Sequence, residues 1–124
     1  MRKKKDVDQN DLGKTIIDSI QEKKGKSIIN IDLRELNNSV CEYFVISHGD
    51  SNTQVRAIAE NIEKKVKKNH NLNVYHREGY ENATWILLDF ITIVVHIFQE
   101  QTRQYYRLED LWADGKFTIF EDIE

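Results

Sequence analysis

Two apolar runs, residues 85–90 and 93–98, stand two residues apart in a chain that contains no proline. Both are rich in the β-branched and aromatic side chains that suit a pleated surface, so they read as neighbouring strands. The period then changes. After the polar opening Gln99, Glu100, Gln101 and Thr102, the residues Tyr105, Leu108 and Trp112 recur at helical spacing, which predicts a helix packing back beside the strands. Alternation along the first run puts Trp85, Leu87 and Asp89 on one face of the sheet, with Ile86, Leu88 and Phe90 on the other. One face is expected to meet helices and the other to be left partly bare.

A tryptophan, a leucine and a carboxylate in a row on a bare face would form a protein-docking strip, because aromatic anchors dominate interface energetics. The competing reading is that Trp85 belongs to the core, since strands covered on both sides also read as continuous apolar runs. The pattern by itself leaves both open.

With 124 residues the chain fits one domain, large enough to bury roughly two-thirds of its unfolded surface. Disulfides are not needed for that, and the single cysteine, Cys41, has no intrachain partner, which fits a reducing compartment. No apolar stretch reaches the ~18 to 20 residues needed to span a bilayer, and the first residues lack the apolar core of a secretory signal. A soluble, cytoplasmic protein without membrane contact is expected. Charge is uneven: residues 1–70 carry 14 lysines and arginines against 11 acids, whereas residues 71–124 carry 4 against 10. An acidic second half favours a basic protein partner over extensive nucleic-acid binding, although ordinary surface variation and an acidic tail would give the same count.

Residues 1–10 form a basic arm, with Arg2, Lys3, Lys4 and Lys5, expected to be a flexible terminus. From Asp8 or Asp11 to Lys24, the spacing of Leu12, Ile16, Ile17 and Ile20 predicts an amphipathic helix closed by Gly25, the residue type that accepts positive φ. Strands are predicted over residues 27–33 and 41–47. Ser51 followed by Gln54 is a capping box, so a second helix starts there with Val55, Ile58, Ala59, Ile62 and Val66 inward. On its outer side Glu60 with Lys64 and Glu63 with Lys67 are read as four-residue ion pairs, and the lysines as a solvated face, with peripheral RNA contact as the other reading. A short polar strand over residues 74–78 leads to Gly79. The acidic tail, residues 113–124, holds a small apolar knot of Phe117, Ile119 and Phe120 that either lies along the domain or frays.

Recognisable chemistry is sparse. Gly49 and Ser51 between a strand and a helix resemble a phosphate-holding corner, but Walker spacing and the multi-glycine dinucleotide loop are missing. Asp50 and Asp89 form no D-x-D pair for metal ions, and His48, His70, His76 and His96 lack zinc-motif spacing. No catalytic, cofactor or metal residues are therefore assigned, and an enzyme is not expected.

Three ordered blocks resemble the ribosomal silencing factor family, also called the Iojap family. They are Glu42, Tyr43, Phe44, Val45 and Ile46 through Gly49, Ser51, Gln54, Val55, Ala57, Ile58 and Ala59; Glu78, Gly79, Ala83, Trp85, Ile86, Leu87 and Asp89; and Val94, Val95, His96, Phe98, Arg103, Tyr106, Leu108, Glu109, Leu111 and Trp112. The resemblance spans residues 12–112. It implies a single α/β domain over residues 11–112, with a mixed sheet of about five strands flanked by helices, similar in fold to nucleotidyltransferases but without their activity. It also implies binding to the fourteenth large-subunit ribosomal protein, uL14, blocking the small subunit and repressing translation when nutrients fall. Trp85 matches the family's contact tryptophan. Around it Leu87, Asp89, Glu78, Tyr80, His96, Tyr106 and Glu109 are candidate ribosomal-protein-binding residues. A large-subunit assembly factor without a regulatory role is the alternative, a residual nucleotidyltransferase using Ser51 and Asp89 a weaker one, and a weak homodimer through the Trp85 strip a further expectation. The chain departs from the family pattern at Ile91 and Thr92, where Gly and Asp are usual, at Glu42, where Asp is common, and at His48 beside Gly49.

Overall fold

The computed structural model describes residues 9–37 and 39–123, so the basic arm lies outside the described residues up to residue 8. In chain order the elements are α1 (Gln9–Glu22), β1 (Lys26–Asp32), β2 (Tyr43–Gly49), α2 (Asn52–His70), β3 (His76–Glu78), β4 (Trp85–Asp89), β5 (Ile93–Gln99), α3 (Glu100–Tyr106), α4 (Leu108–Leu111) and β6 (Lys116–Phe120). They build an α/β domain on one mixed sheet, ordered β3-β4-β5-β2-β1-β6. β2 and β5 run parallel at its centre, and the long crossover between them contains α2. The other pairings are antiparallel.

Six strands stand where about five were expected. The sixth comes from the tail: β6 pairs with β1, setting Phe117 opposite Ile31 and Ile119 opposite Ile29. Its side chains are mostly exposed, so the strand is held by backbone pairing along an edge rather than by a buried stripe that a sequence would display.

One sheet face is covered by the two long helices. Leu12, Ile16 and Ile20 of α1 meet Val55, Ile58, Ile62 and Val66 of α2 over Val45, Ile86, Leu88, Val95 and Ile97. The Ser51 half of the capping box forms at the start of α2, where the Gln54 amide donates to Ser51 Oγ at 3.1 Å, while Gln54 Oε1 reaches one residue further back and accepts from the Asp50 amide at 2.7 Å instead of from Ser51. At the end of α1, positive φ falls on Lys24 (64°) rather than on Gly25. The Gly25 amide bonds Ile20 O, and the Lys24 amide bonds Gln21 O, which is a Schellman closure. Gly25 is needed for space instead, because a Cβ there would lie 2.3 Å from Ile20 Cγ2. The expected Glu63–Lys67 pair is also replaced. Glu63 binds Arg77 at 2.7 Å, and Lys67 turns to Asn71.

The opposite face carries a smaller cluster of Ile29, Ile31, Leu33, Phe44, Ile46, Val94 and Phe98, covered by Leu108 with Trp112 alongside. The single helix expected over Tyr105, Leu108 and Trp112 is broken at Arg107, which takes φ 50°. Tyr105 is consequently 80 % exposed while Leu108 is buried. The break has an electrostatic reason. In an unbroken helix residues 103 and 109 would stand roughly 240° apart around the axis. Turning the chain at Arg107 lets Glu109 reach the buried Arg103 guanidinium at 3.0 Å.

Candidate functional site: an aromatic sheet face

The alternation along β4 is realised. Ile86, Leu88 and the following Phe90 are buried under the long helices, whereas Trp85, Leu87 and Asp89 face the other way and are only partly buried. Cross-strand partners share a face in an antiparallel pair. Phe98, His96 and Val94 of β5 therefore lie beside Trp85, Leu87 and Asp89, while Glu78 and His76 of β3 lie beside Leu87 and Asp89. Beyond the covering helices this side of the sheet is open at its β3–β4 end.

Trp85 is the node of the surface. Its ring sits 4.7 Å from that of Phe98 and 5.0 Å from that of Tyr106, which is itself half exposed. Its indole N–H donates to His96 Nδ1 at 3.1 Å. The aromatic contacts continue inward from His96 to Phe44 at 4.8 Å and from Phe44 to Trp112 at 5.4 Å. Burial pushes the His96 imidazole down to about 4, so it is neutral near pH 7. Because Nδ1 accepts the indole proton, the ring's own proton sits on Nε2, which is buried without a hydrogen-bond partner among the described residues.

Carboxylates rim the face. Glu78 touches His76 Nε2 at 2.7 Å, and Asp89 Oδ1 accepts from the Ile91 amide at 2.7 Å. That second bond sits in the β4–β5 turn, where Thr92 N–H reaches Phe90 O across Ile91. Ile91 holds φ 76°, a γ-turn conformation that a β-branched residue adopts only under strain. At the other end of β4, Gly79 takes φ 92°, and a Cβ there would fall 2.0 Å from Trp85 O. A glycine is thus required for the chain to pass behind Trp85 as the strand begins.

Six of the eight candidate residues, Trp85, Leu87, Asp89, Glu78, His96 and Tyr106, are brought together. Two are not. Tyr80 lies on the helix side, where its hydroxyl donates to Glu63 Oε2 of α2 at 2.6 Å, and burial with the adjacent Glu63 pushes the phenol above its ordinary range. Glu109 belongs to a separate polar group: Arg103 donates to it, to Ser27 O and to His48 Nδ1, the last two at 2.9 Å. Burial first, then the Arg103 charge, pushes the His48 imidazole down. This group fastens α3 and α4 to the ends of β1 and β2. Sequence reasoning left Phe98, Phe44, Trp112 and Tyr105 out of the candidate set; for Tyr105 its adjacency to Tyr106 was the available signal, and their rings meet edge to face at 5.0 Å.

Asp50 follows the end of β2 and Asp89 ends β4, which runs antiparallel to the central pair, so they occupy opposite ends of the sheet. Asp89 is level with Phe44, five strand residues short of Gly49, on the order of 17 Å along the sheet, and Ser51 lies beyond Gly49. Among the described residues no three of His, Cys, Asp or Glu come together in a group that could hold a metal ion, and no helix is long and apolar enough to cross a membrane.

The family model described as "Ribosomal silencing factor during starvation" matches residues 6–124. The ribosomal silencing factor of Halalkalibacterium halodurans is 34 % identical over 107 residues, covering 86 % of this chain and 90 % of that protein. A crystal structure of a Chromobacterium violaceum protein superposes with a TM-score of 0.82 at 33 % identity, over 86 % of this chain and 88 % of that one. A mouse protein named for mitochondrial assembly of the ribosomal large subunit is 33 % identical over 78 residues, 61 % of this chain but only 34 % of its own length. The matched span includes β4, β5 and the two short helices that shape the Trp85 face, and on that span the chain belongs to the ribosomal silencing factor family.

Proposed function

We propose that this protein binds the large ribosomal subunit through the sheet face centred on Trp85, with ribosomal protein uL14 as the contact, and that its bulk then keeps the small subunit away. The observation that carries this reading is the position of Trp85, which the alternation of β4 turns away from the helix-covered core onto a face rimmed by Glu78 and Asp89. An aromatic anchor with an acidic rim suits a basic protein surface, because the ring supplies desolvated contact and the carboxylates steer and orient. No bond has to be made or broken. A domain of this length has a radius of gyration of roughly 14 Å, thick enough to hold two ribosomal surfaces apart. The free protein would use the same face for weak self-association, and the exposed lysines of α2 would meet rRNA only at the periphery.

Cosedimentation with purified large subunits tests the contact. Trp85→Ala should weaken binding by more than about 2 kcal/mol, roughly thirtyfold, with the fold intact. A folded variant that pellets with large subunits as the parent does would refute the assignment. The second reading, an assembly factor that rides on immature particles, is favoured by the name of the mouse relative. Preferential binding to precursor over mature large subunits would select it.

A further inference from the structure

Up to its last residue, Gln99, β5 is apolar on both faces except at one position. Ile93, Val95 and Ile97 pack under the long helices, Val94 and Phe98 pack on the other side, and between them stands His96, 4 % exposed. Its strand neighbours are Ile46 and Leu87, so an aliphatic side chain would fill this place without burying an imidazole. The ring nitrogens divide unequally: Nδ1 accepts the Trp85 indole proton, and Nε2 has no partner among the described residues. A buried N–H left unpaired is a cost to folding. What the position gains in return is the contact with Trp85.

Three groups hold that indole. Phe98 and Tyr106 touch its ring, and such contacts constrain direction weakly. The hydrogen bond is directional. It turns the nitrogen edge of the indole toward the buried histidine, so the edge left outward is hydrocarbon. We propose that His96 is the positioning residue of the docking face: its buried imidazole fixes the Trp85 indole with the nitrogen turned inward, presenting a carbon edge to an apolar pocket on the partner that supplies no acceptor for the indole N–H. This rests on the reading of Trp85 as the anchor. Fixing the ring before binding removes part of the ordering cost of association.

The experiment uses the full chain, with Trp112→Phe as background so that one indole resonance remains. His96→Phe and His96→Leu remove the acceptor, whereas His96→Asn places an oxygen close to where Nδ1 stood. Two quantities are read: water exchange of the Trp85 indole N–H by NMR, and affinity for purified large subunits by sedimentation. Whichever acceptor-less variant folds should exchange the indole proton at least tenfold faster and bind about tenfold more weakly, and His96→Asn should bring both back toward the parent. An acceptor-less variant with fast exchange and parental affinity would overturn the positioning role. So would a His96→Asn protein that slows exchange yet binds no better than His96→Leu. Trp85→Ala run in parallel separates the two claims: weak binding by that variant with parental binding by His96→Leu rejects positioning alone, while parental binding by Trp85→Ala rejects the docking reading and positioning with it.

Discussion

At the scale of single residues, two side chains of the Trp85 face stand in environments that oppose them. Ile91 occupies the β4–β5 turn at φ 76° and is 61 % exposed, so its side chain gains little burial in exchange for the strain. Backbone strain of this kind costs about 1–3 kcal/mol, whereas glycine loses about 0.5–1 kcal/mol through extra chain entropy. Ile91→Gly should therefore stabilise the protein by about 1 kcal/mol, read as a higher urea midpoint at unchanged slope. His96 gives the fold a pH dependence. Its imidazole is held at about 4 in the folded protein against an ordinary 6.5, so between those values the unfolded chain binds more protons than the folded one. Stability from this group is complete above pH 6.5 and is lost as pH falls toward 4, by about 3 kcal/mol at ~1.4 kcal/mol per unit. Urea unfolding at pH 7 and pH 5 should show most of that loss in the parent and a shallower one in His96→Phe.

At the scale of elements, the legible parts of the sequence were those where one residue's burial repeats at a fixed period. The stripes Leu12, Ile16, Ile20 and Val55, Ile58, Ile62, Val66 announced α1 and α2, and the alternation from Trp85 to Asp89 announced the face of β4. The departures share a cause, which is dependence on groups distant in the chain. The α3–α4 break is set by Arg103 finding Glu109, Ser27 O and His48 at once, and β6 is set by the free edge of β1. Tyr80 stands apart from the Trp85 face for the same reason: its position follows from Glu63 of α2, which also takes Arg77. The Arg103 group carries a prediction of its own. Glu109→Ala leaves a buried guanidinium without its carboxylate and should cost about 2 kcal/mol or more of stability. Its large-subunit affinity at a temperature where it stays folded should change far less than that of Trp85→Ala.

At the scale of the molecule, the covered and open sides of the sheet divide the work. Two long helices and the large cluster beneath them hold the fold, so the opposite side is free to keep Trp85, Leu87 and Tyr106 at the surface. Part of the acid excess of residues 71–124 falls on that side, as Glu78 and Asp89, while Asp114, Glu121 and Asp122 flank β6 at the far edge of the sheet. On the proposed function, such a face would act as a plug whose effect is proportional to its occupancy, rising with the ratio of free protein to its dissociation constant. Subunit joining followed on sucrose gradients tests that most directly. With purified large and small subunits and saturating protein, the account predicts separate subunit peaks with the protein on the large one, and joined particles when Trp85→Ala replaces the parent. Joined particles that form normally while the parent protein remains bound to them would contradict it.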